Sequence, residues 1–226
     1  MHSTGLFSSW CFHIPTHTLF DCGDGVSQAL RYKIFAVDRI VMGHSHVDHI
    51  SGLLSFIGLR NRTKGANDKP LDVFFPFNDV YSHHYIDFIN KIFPQYSLKY
   101  KLDFHYIDEN IDVNPKIYIK PFKVDHCNNS LGFCVYEKSK RLKHGIDQAT
   151  IEKVKRKEIS KDDIMEQHDI KHFAYTLDNA GFDLNEVKDV KEIVLDCTFL
   201  NANDRDIPKH ATLIECNDII AQINCK

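Results

Sequence analysis

Apolar residues recur along the chain in short blocks, some with the two-residue period of a strand and some with the three-to-four-residue period of a helix. Residues 18–22 predict a short buried strand, 24–32 a helix capped by an aspartate, and 39–42 a second strand that runs into a cluster of histidines. A helix over 52–59, a polar loop over 60–69 and a strand over 71–75 come next. Residues 78–93 alternate at helical spacing, with Val80, Ile86, Ile89 and Phe93 on the expected core face. Strands are expected at 101–106, 116–124, 131–137, 173–177 and 192–196, with a closing helix over 212–223. Strands and helices mix throughout, so the class is α/β. Periodicity alone leaves open a doubly wound sheet or two sheets flanked by helices.

At 226 residues, 43% hydrophobic and 26% charged, the chain is long enough for one sizeable core and reads as one domain over 1–226. No apolar run approaches the roughly 20 residues that cross a bilayer, and the first residues lack a basic segment followed by an apolar one. No membrane association and a cytoplasmic location are therefore expected. The formal net charge of −3 excludes a uniformly basic nucleic-acid binder and leaves room for local basic patches. Such a stretch occupies 138–161 within a short insertion over 138–171, and includes Lys138, Lys140, Arg141, Lys143, Lys153, Lys155, Arg156, Lys157 and Lys161. It fits a phosphate-binding face and, equally, a solvated helix surface.

The seven cysteines show no CxxC pair and no regular framework, so they read as reduced thiols, several of them small buried hydrophobes. The fourteen histidines point elsewhere, because many lie beside aspartates. His44, His46, Asp48 and His49 fall within six residues on the loop leaving the strand over 39–42. In extended chain His44, His46 and Asp48 point to one side and His49 faces elsewhere, which suggests two adjacent sites. Zinc takes neutral imidazole nitrogen at roughly 2.0–2.1 Å and carboxylate oxygen at similar range. An ordinary polar loop rarely gathers three histidines and an aspartate so closely, and a structural zinc site would favour cysteines. Two metals need more ligands than this loop holds, so others must come from distant sequence. His13, His17, His83, His84, His105, His144, His168 and His172 read as surface or hydrogen-bonded groups. Asp21 is expected to orient a ligand histidine.

The stretch His44-x-His46-x-Asp48-His49 followed by Ile50-Ser51-Gly52-Leu53 resembles the signature loop of the metallo-β-lactamase superfamily, and within it the ribonuclease Z family of tRNA 3′-processing endonucleases. Further stretches resemble that family in the same order. Leu19-Phe20-Asp21-Cys22-Gly23-Asp24-Gly25 is similar to its LFDCGEG segment, and His126 before Ser130-Leu131-Gly132-Phe133 to its histidine ahead of SLGY. Tyr175-Thr176-Leu177-Asp178 is similar to GDT with Leu177 in place of the glycine, Asp196-Cys197-Thr198-Phe199 to EATF, and His210-Ala211-Thr212 to HST.

The resemblance implies an αββα sandwich of two mixed β-sheets flanked by helices. It implies a zinc-dependent phosphodiesterase, an endoribonuclease that removes 3′ extensions from precursor tRNA, with two Zn2+ or alternatively Mn2+. His44, His46, His126 and Asp178 would hold one ion, and Asp48, His49 and Asp178 the other. Asp48 would orient the attacking water, and His210 with Asp196 would protonate the leaving oxygen. Arg60, Arg62 and Lys64, soon after the metal loop, are expected to touch the substrate backbone, and a homodimer is implied. The family's C-terminal THFS-like histidine and its opening GTG turn have no full counterpart, so both ends are expected to be clipped. The insertion is also shorter than the family's arm and contains no proline. Small phosphodiesters such as cyclic nucleotides, and a non-catalytic metal-binding role, are the competing readings.

Overall fold

A computed structural model describes residues 2–3, 8–62, 69–205 and 208–225. The first sheet takes β1 (His2–Ser3), β2 (Trp10–His13), β3 (Thr18–Phe20), β4 (Arg39–Val41), β5 (Leu71–Pro76) and β6 (Leu102–Ile107) in that spatial order. Its first two pairings are antiparallel and the rest parallel. The parallel connections carry α1 (Val26–Leu30), the short α2 (Val47–Ile50), α3 (Leu53–Arg62) and α4 (Val80–Ile92). The second sheet includes β7 (Ile111–Asn114), β8 (Ile117–Lys123) and β9 (Leu131–Glu137). After β9 the chain forms a separate hairpin of β10 (Lys140–Leu142) and β11 (Met165–Gln167), with α5 (Gln148–Lys155) between its strands. It then returns as β12 (Ile170–Tyr175) and β13 (Glu192–Val194) and closes with α6 (Leu213–Ile223). The second sheet has the order β13-β12-β9-β8-β7, with only β12 and β13 parallel.

Side-chain alternation along the strands builds three apolar layers. On the outer face of the first sheet, Leu19, Ile40, Val73 and Phe75 pack against Val26 and Leu30 of α1, Leu53, Phe56 and Ile57 of α3, and Ile86 and Ile89 of α4. Their sequence neighbours Phe20 and Val41 point the other way, between the sheets, where they meet Ile119, Phe133, Val135, Phe173 and Tyr175. The opposite face of the second sheet sets Phe122, Cys134, Tyr136 and Ala174 against Ile223 of α6 and Val187 and Val190. Helix, sheet, sheet, helix is thus the αββα sandwich of two mixed sheets. Each fully buried Phe, Leu or Ile side chain contributes about 1.5–3 kcal/mol.

Several expectations need correction. The first helix starts at Val26, with Gly25 in left-handed backbone at its N-cap and no side-chain cap from Asp24. Val80 lies outside the core at 64% exposure, because Asp79 caps α4 by accepting from the Tyr81 amide and so places Val80 on the outward first turn. The basic stretch over 138–161 is more neutralised than its composition suggests. Lys138 pairs with Asp112, Lys140 with Asp162, Arg141 with Glu166 and Arg156 with Glu152. None of the seven cysteines is in a disulfide. Among the described residues, no helix is long and apolar enough to cross a membrane.

Candidate metal centre

Five strands deliver their C-terminal ends to one edge of the sandwich. Asp21 follows β3, His44 follows β4, His126 follows β8, Asp178 follows β12 and Asp196 follows β13. Backbone contacts lock the first two loops together. The Ser9 amide donates to the Asp48 carbonyl, the Cys22 amide to that of His49 and the Gly52 amide to that of Cys22. The approach is so close that a Cβ on Gly52 would stand 2.1 Å from the Gly23 carbonyl oxygen, a space only glycine fits.

At the centre lies His44. Its ring is 1% exposed, and neither of its nitrogens has a hydrogen-bond partner. The rings of His46, His49 and His126 surround it at centroid distances of 4.3, 4.2 and 4.8 Å. Burial first, then the neighbouring imidazoles, push its pKa far down, so it is a neutral ring with an unused lone pair. Buried polar nitrogens without partners are rare in folded proteins, and a metal ion is the partner this ring fits.

The other donors are oriented by hydrogen bonds. His126 Nδ1 donates to the Lys209 carbonyl at 2.9 Å, which leaves Nε2 as its donor atom, 3.1 Å from His46 Nδ1. Burial lowers the pKa of both rings. His49 Nδ1 donates to Asp21 Oδ2 at 2.9 Å, while its Nε2 faces Asp178 Oδ2 at 3.0 Å and Asp48 Oδ2 at 3.2 Å. Burial disfavours a charge on His49, but Asp21 and these two carboxylates outweigh it and raise its pKa well above the usual value. Asp178 feels the same competition from the other side: burial opposes its charge, and the bond from His49 still holds its pKa down. Donor atoms on a tetrahedral zinc lie about 3.3 Å apart, so the spacing around His49 Nε2 is that of a coordination shell.

Three groups could each hold a cation among the described residues, with donors within 4.8 Å of one another: His44, His46, His126 and Cys127; His44, His49 and Asp178; and His126, Asp178 and His210. His210 Nδ1 lies 3.3 Å from Asp196 Oδ2 and 3.8 Å from Asp178 Oδ2. Burial raises the pKa of Asp196. A cleft of about 640 Å3 opens beside the group, lined by His46, Asn78, Tyr81, His126, Asn129 and Lys209 among others.

No protein-family model matches the chain. Over 154 residues it is 29% identical to ribonuclease Z of Borreliella afzelii, covering 66% of this chain and 48% of that protein. Over 134 residues it is 30% identical to ribonuclease Z of Streptococcus gordonii, covering 53% and 40%. The chain thus spans about half the length, or less, of these relatives. Its backbone superposes on human tRNase Z, short form, with a TM-score of 0.64 at 16% identity, covering 92% of this chain and 66% of that one. For the metallo-β-lactamase fold protein YhfI from Bacillus subtilis the score is 0.61 at 15% identity, over 97% and 76%. For a diphosphatase of the PhnP family it is 0.59 at 19%, over 92% and 66%. The chain has the metallo-β-lactamase fold and is similar in sequence to proteins named ribonuclease Z.

Within this metallo-β-lactamase fold, His44, His46, Asp48, His49, His126 and Asp178 come together from distant segments, with His49 and Asp178 129 residues apart. Asp196 and His210 stand beside them, and Asp21 supports His49. His49 does not face away from the loop. The chain enters α2 at Val47, and the helical turn swings His49 inward and Val47 out to solvent.

Arg60 must also be reassigned. It is buried, and its guanidinium donates to the carbonyls of Ile34, Val37, Lys69 and Pro70 and lies over the Tyr100 ring, so it is closed to a substrate phosphate. Arg62 is exposed but sits at the far end of α3, roughly 14 Å along the axis from the end nearest the metal loop. Lys64 falls outside the described residues. Two features went unmarked by spacing. Cys127 is one, and its only sequence signal is adjacency to His126. The Tyr175 hydroxyl, which donates to Asp21 Oδ2 at 3.1 Å, is the other.

Proposed function

We propose that this chain is a metal-dependent phosphodiesterase that cuts RNA as an endonuclease, with 3′-extended precursor tRNA as its substrate. The buried, unpartnered imidazole of His44 among histidines and carboxylates carries the metal part of this reading. Similarity to proteins named ribonuclease Z supports the RNA part. His44, His46 and His126 would hold one zinc ion, Asp48 and His49 the other, with Asp178 reaching both. When bound, such a pair supplies Lewis acidity and a water that ionises near neutral pH.

The chain's own groups do the rest. Asp48, at the rim and bonded to His49, orients the attacking water and takes its proton. His210 has its Nδ1 side held by Asp196 and Thr198, which leaves Nε2 to give a proton to the departing oxygen. In the cleft, Tyr81 offers a ring for a base and Lys209 a cation for a phosphate.

The test is cleavage of a 3′-extended precursor tRNA by the purified chain, with and without chelator. A single internal cut, lost with chelator and restored by zinc or manganese, is the expected result. A second reading, hydrolysis of small phosphodiesters, is favoured by the pairing of Lys138, Lys140 and Arg141 with acids rather than their display to RNA. Intact precursor together with turnover of an aryl phosphodiester would select it. Bound zinc with neither activity would select a non-catalytic metal-binding role.

A further inference from the structure

Cys127 lies in the turn between β8 and β9, beside His126, and lines the cleft. Its sulfur is one of four donor atoms, with nitrogens of His44, His46 and His126, that all lie within 4.8 Å of one another. A tetrahedral zinc with nitrogen at about 2.0–2.1 Å and sulfur at about 2.3 Å brings such donors to about 3.3–3.6 Å. The set therefore needs to close by little more than an ångström. Two independent observations aim it at a cation. His44, at its centre, is 1% exposed with both nitrogens unpartnered. His126 has its Nδ1 proton fixed on the Lys209 carbonyl, so the lone pair on Nε2 faces inward.

The turn holds the sulfur in place. The Asp125 amide donates to Gly181, the Ala180 amide to Asp125 and the Ser130 amide to Cys127. Ser130, itself buried, accepts from the Cys127 amide at 3.3 Å, and its Oγ lies 2.9 Å from Cys127 Sγ. With one acceptor role filled, the Ser130 hydroxyl can turn its proton to the sulfur, the arrangement a thiolate needs. Among the described residues, no other cysteine joins a group able to hold a metal.

We propose that Cys127 is a metal ligand: its thiol gives up its proton to solvent, and Sγ joins His44, His46 and His126 around the cation that Asp178 also reaches. This rests on the metal centre proposed above and adds a selectivity to it. A thiolate is a soft donor that suits zinc and disfavours manganese, which binds carboxylate and water. The chain should therefore carry zinc at this position.

The experiment is replacement of the metal by cobalt(II) under reducing, oxygen-free conditions, followed by near-ultraviolet absorption and metal analysis. The expected result is a thiolate-to-cobalt charge-transfer band that disappears in both Cys127→Ser and Cys127→Ala while cobalt stays bound. In the serine variant, zinc affinity should fall about tenfold or more and manganese affinity should not move. On the unaltered chain, bound zinc should slow alkylation of Cys127, read by mass spectrometry, a measurement that needs no variant to fold. Cobalt bound without the band, or a band that survives in the variants, overturns the proposal and leaves the metal centre standing. Failure to bind any metal overturns both.

Discussion

Replacing Asp21 by asparagine tests whether His49 is a ligand oriented from behind. Asp21 is fully buried, and its backbone is left-handed at φ 56°, a conformation asparagine also accepts, so the change leaves the chain path alone. Three donors converge on the carboxylate. The Gly43 amide gives 2.9 Å to Oδ1; His49 Nδ1 and the Tyr175 hydroxyl give 2.9 and 3.1 Å to Oδ2. Burial raises the Asp21 pKa, and His49 and these donors work against that rise. An amide has one oxygen for the two positions. If that oxygen turns to His49, its NH2 opposes the Gly43 amide and a buried donor goes unpaired, at about 1–3 kcal/mol.

If the oxygen instead turns to Gly43, the NH2 donates to a His49 Nδ1 that has given up its proton, the one remaining imidazole proton sits on Nε2, and the Tyr175 hydroxyl rotates to accept. Only the Tyr175 proton then lacks an acceptor, against two N–H groups facing each other in the first state, so the metal-free fold takes this one. In the unaltered chain a cation can displace the Nε2 proton because the Nδ1 proton stays on Asp21, whereas here Nε2 holds the ring's one proton where a cation needs a lone pair. Loss of such a supporting acceptor lowers metal affinity about 10–100-fold, or about 1.4–2.7 kcal/mol. Zinc titration against a chromophoric chelator should show one site unchanged, that of His44, His46 and His126, and one weakened by this factor. The melting temperature of the metal-free chain should move by only a few degrees. Two sites of unaltered affinity in Asp21→Asn would refute the reasoning, because His49 would then not need Asp21 to present Nε2.

Three further outcomes are expected. Removing the Arg60 head by Arg60→Met leaves the buried Val37 carbonyl without its donor, while that of Ile34 keeps only the Val37 amide, so urea denaturation should show a loss of about 1–3 kcal/mol; RNA binding by the folded fraction should not change. Burial, then repulsion from His172, lowers the His13 pKa from 6.5 to about 4 in the fold. The unfolded chain therefore binds this proton first, and the stability involved is full above pH 6.5 and is lost as pH falls towards 4. Urea midpoints of the metal-free chain should drop less over that window in His13→Phe, which keeps the stacking on Phe173; equal slopes would exclude His13. For His210→Ala, turnover should fall about 10²–10⁴-fold with zinc content intact, whereas loss of zinc would make His210 a ligand.

Much of the sandwich is legible in the sequence, because a strand buried on both faces and a histidine-rich loop behind it leave short, strong patterns. The inward turn of His49 is not legible in the loop, since four residues of α2 convey too little periodicity to announce a turn. Arg60 was within reach of the pattern: 53, 56, 57 and 60 are spaced as one helical stripe, and the first three are Leu, Phe and Ile. A charge at that position suggests solvent, although four backbone carbonyls satisfy it inside. What local spacing cannot supply is the meeting of His44 with His126 and Asp178, which depends on strand order across two sheets. Only the ordered resemblance of distant segments linked them.

Leu177 shows how such a resemblance is to be read physically. The glycine expected before Asp178 answers a conformational demand, and the structure keeps the demand while changing the residue: Leu177 has φ 60°, a left-handed backbone that costs a leucine roughly 1–2 kcal/mol. Its side chain is buried against Gly43, where a Cβ would stand 2.4 Å from Leu177 Cδ2. Burying a leucine contributes about 1.5–3 kcal/mol, enough to offset the strain. The departure therefore leaves the direction of Asp178 intact, and the glycine missing from the strand that presents Asp178 is balanced by Gly43, on the loop that presents His44.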